Sequence, residues 1–93
     1  MSVARITTLN LKSKEGADEI VKSYTATAPS KFLEAEQLLQ IRVGDTTIIA
    51  ISLYENNEAM EKATAARTQS LDSNKGNFAS VDMKVGTVEL NHS

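Results

Sequence analysis

The order in which the apolar spacing changes along the chain limits the fold more than any single motif. Val3 to Lys12 is rich in β-branched and aliphatic residues. Val3, Thr7, Leu9 and Leu11 share one face of an extended segment, and Ala4, Ile6 and Thr8 share the other. Apolar groups on both faces mark a strand covered on both sides. The period then changes. Ala17, Ile20, Val21, Tyr24 and Ala28 make one stripe of a helix, with Lys14, Glu15, Asp18, Glu19 and Lys22 on the solvent side. Ser13 is placed to cap its start, acids favour its N-terminal end, and Pro29 is expected to stop it near Ala28.

From Leu33 to Val43 the period is two. Leu33, Ala35, Gln37, Leu39, Ile41 and Val43 alternate with Glu34, Glu36, Leu38, Gln40 and Arg42. Gly44-Asp45 predicts a two-residue hairpin with glycine at positive φ. The return strand, Thr46 to Tyr54, is apolar on both faces and reads as central. Asn56 or Asn57 caps a second helix with the stripe Ala59, Met60, Ala63, Arg67 and Leu71. Gly76 offers a left-handed stop. The last strand spans Phe78 to Leu90, and its shift of apolar parity predicts a β-bulge near Gly86.

The order strand, helix, strand, strand, helix, strand is the split β-α-β pattern. It predicts an α+β, ferredoxin-like sandwich over residues 1–93: an antiparallel four-stranded sheet with two helices on one face. The other sheet face is too apolar for water, so a homodimer closed through that face is expected. Ninety-three residues form one domain with a thin core, which a partner would thicken.

Composition excludes several functions. Net charge is −2 and the ten Lys and Arg are scattered, so no nucleic-acid surface is expected. No cysteine is present, which removes disulfides, thiolate metal sites and cysteine nucleophiles. No apolar run approaches the roughly 20 residues of a membrane helix, and the start lacks a secretory layout. A cytoplasmic protein without membrane contact is the expectation. No metal-ligand spacing, phosphate loop or nucleophile motif occurs, so neither metal nor cofactor is predicted.

Pro29-Ser30-Lys31-Phe32-Leu33-Glu34 leads into the second strand, and Leu53-Tyr54-Glu55-Asn56-Asn57-Glu58-Ala59-Met60 leads into the second helix. With the element order, these passages resemble the antibiotic biosynthesis monooxygenase-like family of the dimeric α+β barrel superfamily. The resemblance implies a dimeric α+β barrel with a ligand cavity in each protomer, between sheet and helices. Family members include cofactor-independent monooxygenases that form quinones, haem-degrading enzymes and many small proteins of unassigned role. No tryptophan is present, and Tyr54 stands where the family often has one. Haem-degrading relatives use an inward Asn on the first strand, which falls near Thr8 here, and a His on the second helix. The only histidine is His92, in the tail, so haem degradation is disfavoured.

Five residues are candidates for a ligand pocket. Thr8 holds the first-strand position that the resemblance singles out. Gln37 is polar within an apolar alternation: a hydrogen-bonding group in a cavity or at a dimer seam, or a satisfied core or edge amide. Tyr24 and Tyr54 suit a phenolic or quinonoid ligand by stacking and a hydroxyl contact, or simply fill the core. Arg67 interrupts a helical stripe, either to meet an anion or to reach solvent; Arg5 has the same two readings. The expected function is a cofactor-independent monooxygenase acting on a small aromatic or phenolic substrate. The alternative is a non-catalytic small-molecule-binding or stress-related dimer. The catalytic residues are not identifiable from sequence.

Overall fold

Hydrogen-bond register along the central strands sorts every side chain of the sheet onto one of two faces. The computed structural model describes residues 2–92. Its elements are β1 (Val3–Leu11), α1 (Lys14–Lys31), β2 (Ala35–Arg42), β3 (Thr47–Tyr54), α2 (Asn57–Ser73), a 3-10 turn (Lys75–Asn77) and β4 (Phe78–Thr87). The sheet order is β2-β3-β1-β4, with every neighbouring pair antiparallel. This is the ferredoxin-like sandwich, with both helices on one face.

Val3, Arg5, Thr7, Leu9 and Leu11 of β1 are buried beneath the helices. Residues directly opposite in an antiparallel pair share a face. Tyr54, Ser52, Ala50 and Ile48 of β3 therefore lie beside them, and Ala35, Leu38, Gln40 and Arg42 of β2 extend the same face.

The helices dock through capped, small-residue stripes. Ser13 Oγ accepts from the Gly16 N–H at 3.0 Å, and Asn56 Oδ1 accepts from the Ala59 N–H at 2.8 Å. Each satisfies an amide that the first helical turn leaves free. From α1, Ala17, Ile20 and Ala28 are buried; from α2, Met60 and Ala63. Their side chains build two separate cores. One unites Val3, Ala28, Phe32, Tyr54, Met60 and Ala63. The other unites Leu9, Leu11, Ala17, Ile20 and Ile48. Ile48 is fully buried, which contributes about 1.5–3 kcal/mol. The cores sit at opposite ends of β1, and the stretch between them is where a site is built.

Four local expectations are corrected. Helix α1 continues through Pro29 to Lys31. Proline removes one late hydrogen bond, but Ala28 and Phe32 are anchored in the first core, and the Phe32 N–H still donates to the Ala28 carbonyl at 2.9 Å. The β2–β3 turn is wider than two residues, and no glycine adopts positive φ, neither Gly44 nor Gly76. Instead Val43 N–H donates to Thr47 O, and the Arg42 guanidinium holds the Gly44 and Asp45 carbonyls and the Asp18 carboxylate. Strand β4 pairs without interruption through Gly86 and ends at Thr87, so the bulge is not there. The irregularities lie between Asn10 and Leu11 against β4, and between Ala35 and Gln37 against β3. The second leaves Glu36 as an extra residue and reverses the side-chain parity of β2 behind it.

The face away from the helices carries Ile6, Leu39 and Ile41, all exposed, beside the half-covered Ile49 and Ile51. On the helix side, the row Val81, Met83 and Val85 of β4 is also exposed, at 42–46%. The outer strand extends past the cover that the two helices provide.

Candidate functional site

Small side chains line up across the middle of the helix-facing sheet surface. Register places Arg5 of β1 opposite Ser52 of β3, and Thr7 opposite Ala50. Gln40 of β2 lies on the far side of Ala50. Serine, threonine and alanine are too short to reach the helices, so the two cores stay separated by a cavity of about 230 Å³. Its walls are Leu9 and the small β-strand residues below, Ile20, Tyr24 and Phe32 on the α1 side, and Arg67 and Leu71 of α2. Phe78 also lines it. The Tyr24 and Phe32 rings are tilted by 37° with centroids 6.3 Å apart, forming an aromatic wall.

The electrostatics of this space are one-sided. Its lining includes Arg5, Lys31 and Arg67, and among the described residues it includes no Asp, Glu or His. Arg5 is only 5% exposed. Its Nη2 donates to the Met60 carbonyl at 3.2 Å and to Thr64 Oγ1 at 3.0 Å, but Nε and Nη1 are buried without a partner. The guanidinium also lies 5.8 Å from the centroid of the Tyr54 ring, a cation–π contact. Arg67 Nη2 donates to Thr7 Oγ1 at 3.2 Å. Burial, and secondarily the charge of Arg5, hold the Arg67 pKa below its ordinary value, with Tyr54 opposing. Burial pushes the Tyr24 phenol upward, and Tyr54 adds to the shift. Tyr24 is therefore a hydrogen-bond donor at neutral pH rather than a base.

Three of the five residues picked from sequence meet here: Tyr24, Tyr54 and Arg67. Thr8 and Gln37 do not. Thr8 sits on the opposite face of β1, across from Ile49 and Asp82, because its neighbour Thr7 takes the inward position. Gln37 is exposed, since the extra residue at Glu36 turns it to the helix-free face. Its place is taken by Gln40, whose Nε2 donates to the Val21 carbonyl at 3.3 Å and to Thr25 Oγ1 at 3.2 Å. In sequence Gln40 shares its strand face with Glu34, Glu36, Leu38 and Arg42, which gives no sign of an inward role. The only sequence signal for the cavity itself is the insertion of Ala50 and Ser52 into an otherwise bulky strand.

No group of three or more His, Cys, Asp or Glu able to hold a metal occurs among the described residues. No helix of the described residues is long and apolar enough to cross a membrane.

The architecture matches solved structures across nearly the whole chain. A monooxygenase from the gene ActVA-Orf6 of Streptomyces coelicolor, solved with the ligand nanaomycin D, superposes with a TM-score of 0.77 at 12% identity, covering 99% of this chain and 91% of the other. SnoaB, a cofactor-independent oxygenase from Streptomyces nogalater, gives 0.67 at 12% identity, covering 97% and 95%. The fold is that of the antibiotic biosynthesis monooxygenases. Rv0793 from Mycobacterium tuberculosis gives a TM-score of 0.82 at 11% identity, with full coverage of both chains. No family model matches the sequence, and no curated protein matches it. At such identities the antibiotic-monooxygenase likeness is one of fold, and the site must be read from its own residues.

Proposed function

We propose that the cavity binds a small aromatic, phenolic molecule and that the protein is a cofactor-independent monooxygenase for it. One observation carries this reading: an aromatic-walled cavity holding two guanidiniums and, among the described residues, no acid, in a fold shared with cofactor-independent oxygenases. In such chemistry the substrate is its own reductant. Arg5 and Arg67 favour the ionised phenol by placing positive charge where its negative charge develops. Tyr24 and Phe32 orient the ring, and Tyr24 donates a hydrogen bond. The electron-rich anion passes one electron to O2, and the two radicals combine to form a C–O bond. The peroxide takes up a proton, its O–O bond breaks, and the carbon loses its hydrogen as C=O forms. One phenol with a free ring C–H and one O2 give one quinone and one water.

The same lining favours a second reading. Without His, Asp or Glu around the cavity among the described residues, no side chain is an obvious general base. That fits a dimer that binds an aromatic molecule without turning it over. Oxygen uptake by chelator-treated protein with a panel of dihydroxynaphthalenes separates the two. Uptake of one O2 per quinone formed supports the oxygenase. Saturable binding across the panel without uptake supports the binder.

The oligomer belongs to the same proposal. A second copy covers the helix-free face through Ile6, Leu39 and Ile41, and closes two sheets into an α+β barrel. One protein of similar fold is described as dimeric, a dimeric ferredoxin-like protein from an uncultured marine organism.

A further inference from the structure

Among the described residues the two arginines of the cavity have no acidic partner, which bears on the ligand's chemistry. A guanidinium buried without a counter-charge is unfavourable, and buried charges in folded proteins are ordinarily paired. Arg5 is almost fully buried in the cavity lining, with two of its three guanidinium nitrogens unpartnered, so it acts as a fixed positive charge there. Arg67 is half-buried, holds Thr7 with one nitrogen, and borders the cavity. Lys31 adds a third cation to the lining. The whole chain is net negative at −2, so this concentration of positive charge is local and runs against the overall balance.

A neutral phenol would leave these charges unanswered. A phenol with a pKa near 10 is ionised in only about one molecule in a thousand at pH 7, whereas a carboxylic acid near pKa 4 arrives ionised. A carboxylate also matches the planar donor fork of arginine. Size sets a second limit. A cavity of about 150 Å³ accepts benzene, so about 230 Å³ accommodates one substituted ring or two fused rings.

We infer that the cavity selects a one- or two-ring aromatic carboxylate, its carboxylate held by Arg67 above the buried Arg5 and its rings against Tyr24 and Phe32. The inference rests on the cavity being the ligand site proposed above, and it narrows the substrate of that site to a hydroxyaryl carboxylic acid. It does not depend on turnover.

The test compares 2-naphthoate with its neutral isostere 2-naphthamide by calorimetric titration of the full-length protein at pH 7. The expected result is at least about tenfold tighter binding of naphthoate, with the preference lost in Arg67→Gln while naphthamide affinity is retained. Rising KCl should weaken naphthoate and leave naphthamide unchanged, a readout that needs no variant if Arg67→Gln fails to fold. Equal binding of the two probes, no binding of either, or an anion preference that survives Arg67→Gln in a folded variant overturns the inference. Oxygen uptake with a neutral dihydroxynaphthalene and no anion preference would leave the oxygenase standing and remove only the carboxylate. An anion preference without oxygen uptake would do the reverse.

Discussion

Arg5 Nη2 donates to the Met60 carbonyl, but that carbonyl already lies within helix α2 and also accepts from Thr64 Oγ1 at 3.3 Å. Removing the guanidinium therefore leaves the Met60 carbonyl bonded and takes a donor only from the part-buried Thr64 Oγ1, while it relieves an unpaired buried charge. Arg5→Met should leave urea-unfolding stability unchanged or raise it by about 1–2 kcal/mol, and should weaken ligand binding. A loss of stability beyond about 2 kcal/mol would show instead that Arg5 is chiefly a structural clamp. Tyr24 gives a pH prediction. Its folded pKa is raised above the ordinary value of 10.0 by burial. The neutral phenol thus contributes stability that is fully present below the unfolded value and is lost as pH climbs through the raised folded value. Wild-type protein should lose stability above about pH 10, and Tyr24→Phe should lose less of it over the same range. Identical alkaline profiles would contradict the assigned burial.

At the scale of elements, the helices and three of the strands were legible because their signals are local: capping by Ser13 and Asn56, stripes at helical spacing, and alternation along β1. The second strand was only half legible. Glu36 looks like any solvent-facing residue, yet as the extra residue of a bulge it separates Ala35, which faces the helices, from Gln37, which does not. Thr8 was misplaced by analogy with a relative's inward residue, one position from the threonine that does face inward. The cavity was expected only through the family resemblance; the residues that open it were not legible, because they meet only where register aligns Thr7, Ala50 and Ser52 from strands distant in sequence. That origin makes it easy to close. Ser52→Leu adds three carbons where the sheet is short of bulk, so stability should change by less than about 1.5 kcal/mol. Binding of an aromatic probe should fall by at least about tenfold, or about 1.4 kcal/mol. Undiminished binding in a folded Ser52→Leu protein would put the ligand elsewhere.

For the whole molecule, two rows of apolar side chains along strands are left uncovered: the helix-free sheet face, and Val81, Met83 and Val85 of β4. Both are continuous stretches along strands, a pattern that marks an interaction surface more than scattered exposed residues do. Light scattering coupled to size exclusion should give about twice 10.1 kDa, and Ile6→Glu with Ile41→Glu should shift it toward the monomer. A wild-type mass of 10.1 kDa at micromolar concentration would remove the dimer. The sheet thus has one face assigned to a ligand and one to a partner copy, and methyl NMR distinguishes them in a single titration. With 1,5-dihydroxynaphthalene added to protein labelled at Ala, Ile and Leu methyls, Ala50, Ile20, Leu9 and Leu71 should shift while Ile6, Leu39 and Ile41 stay still. Shifts confined to Ile6, Leu39 and Ile41, or no shifts at saturating probe, would contradict a ligand site between the sheet and the helices.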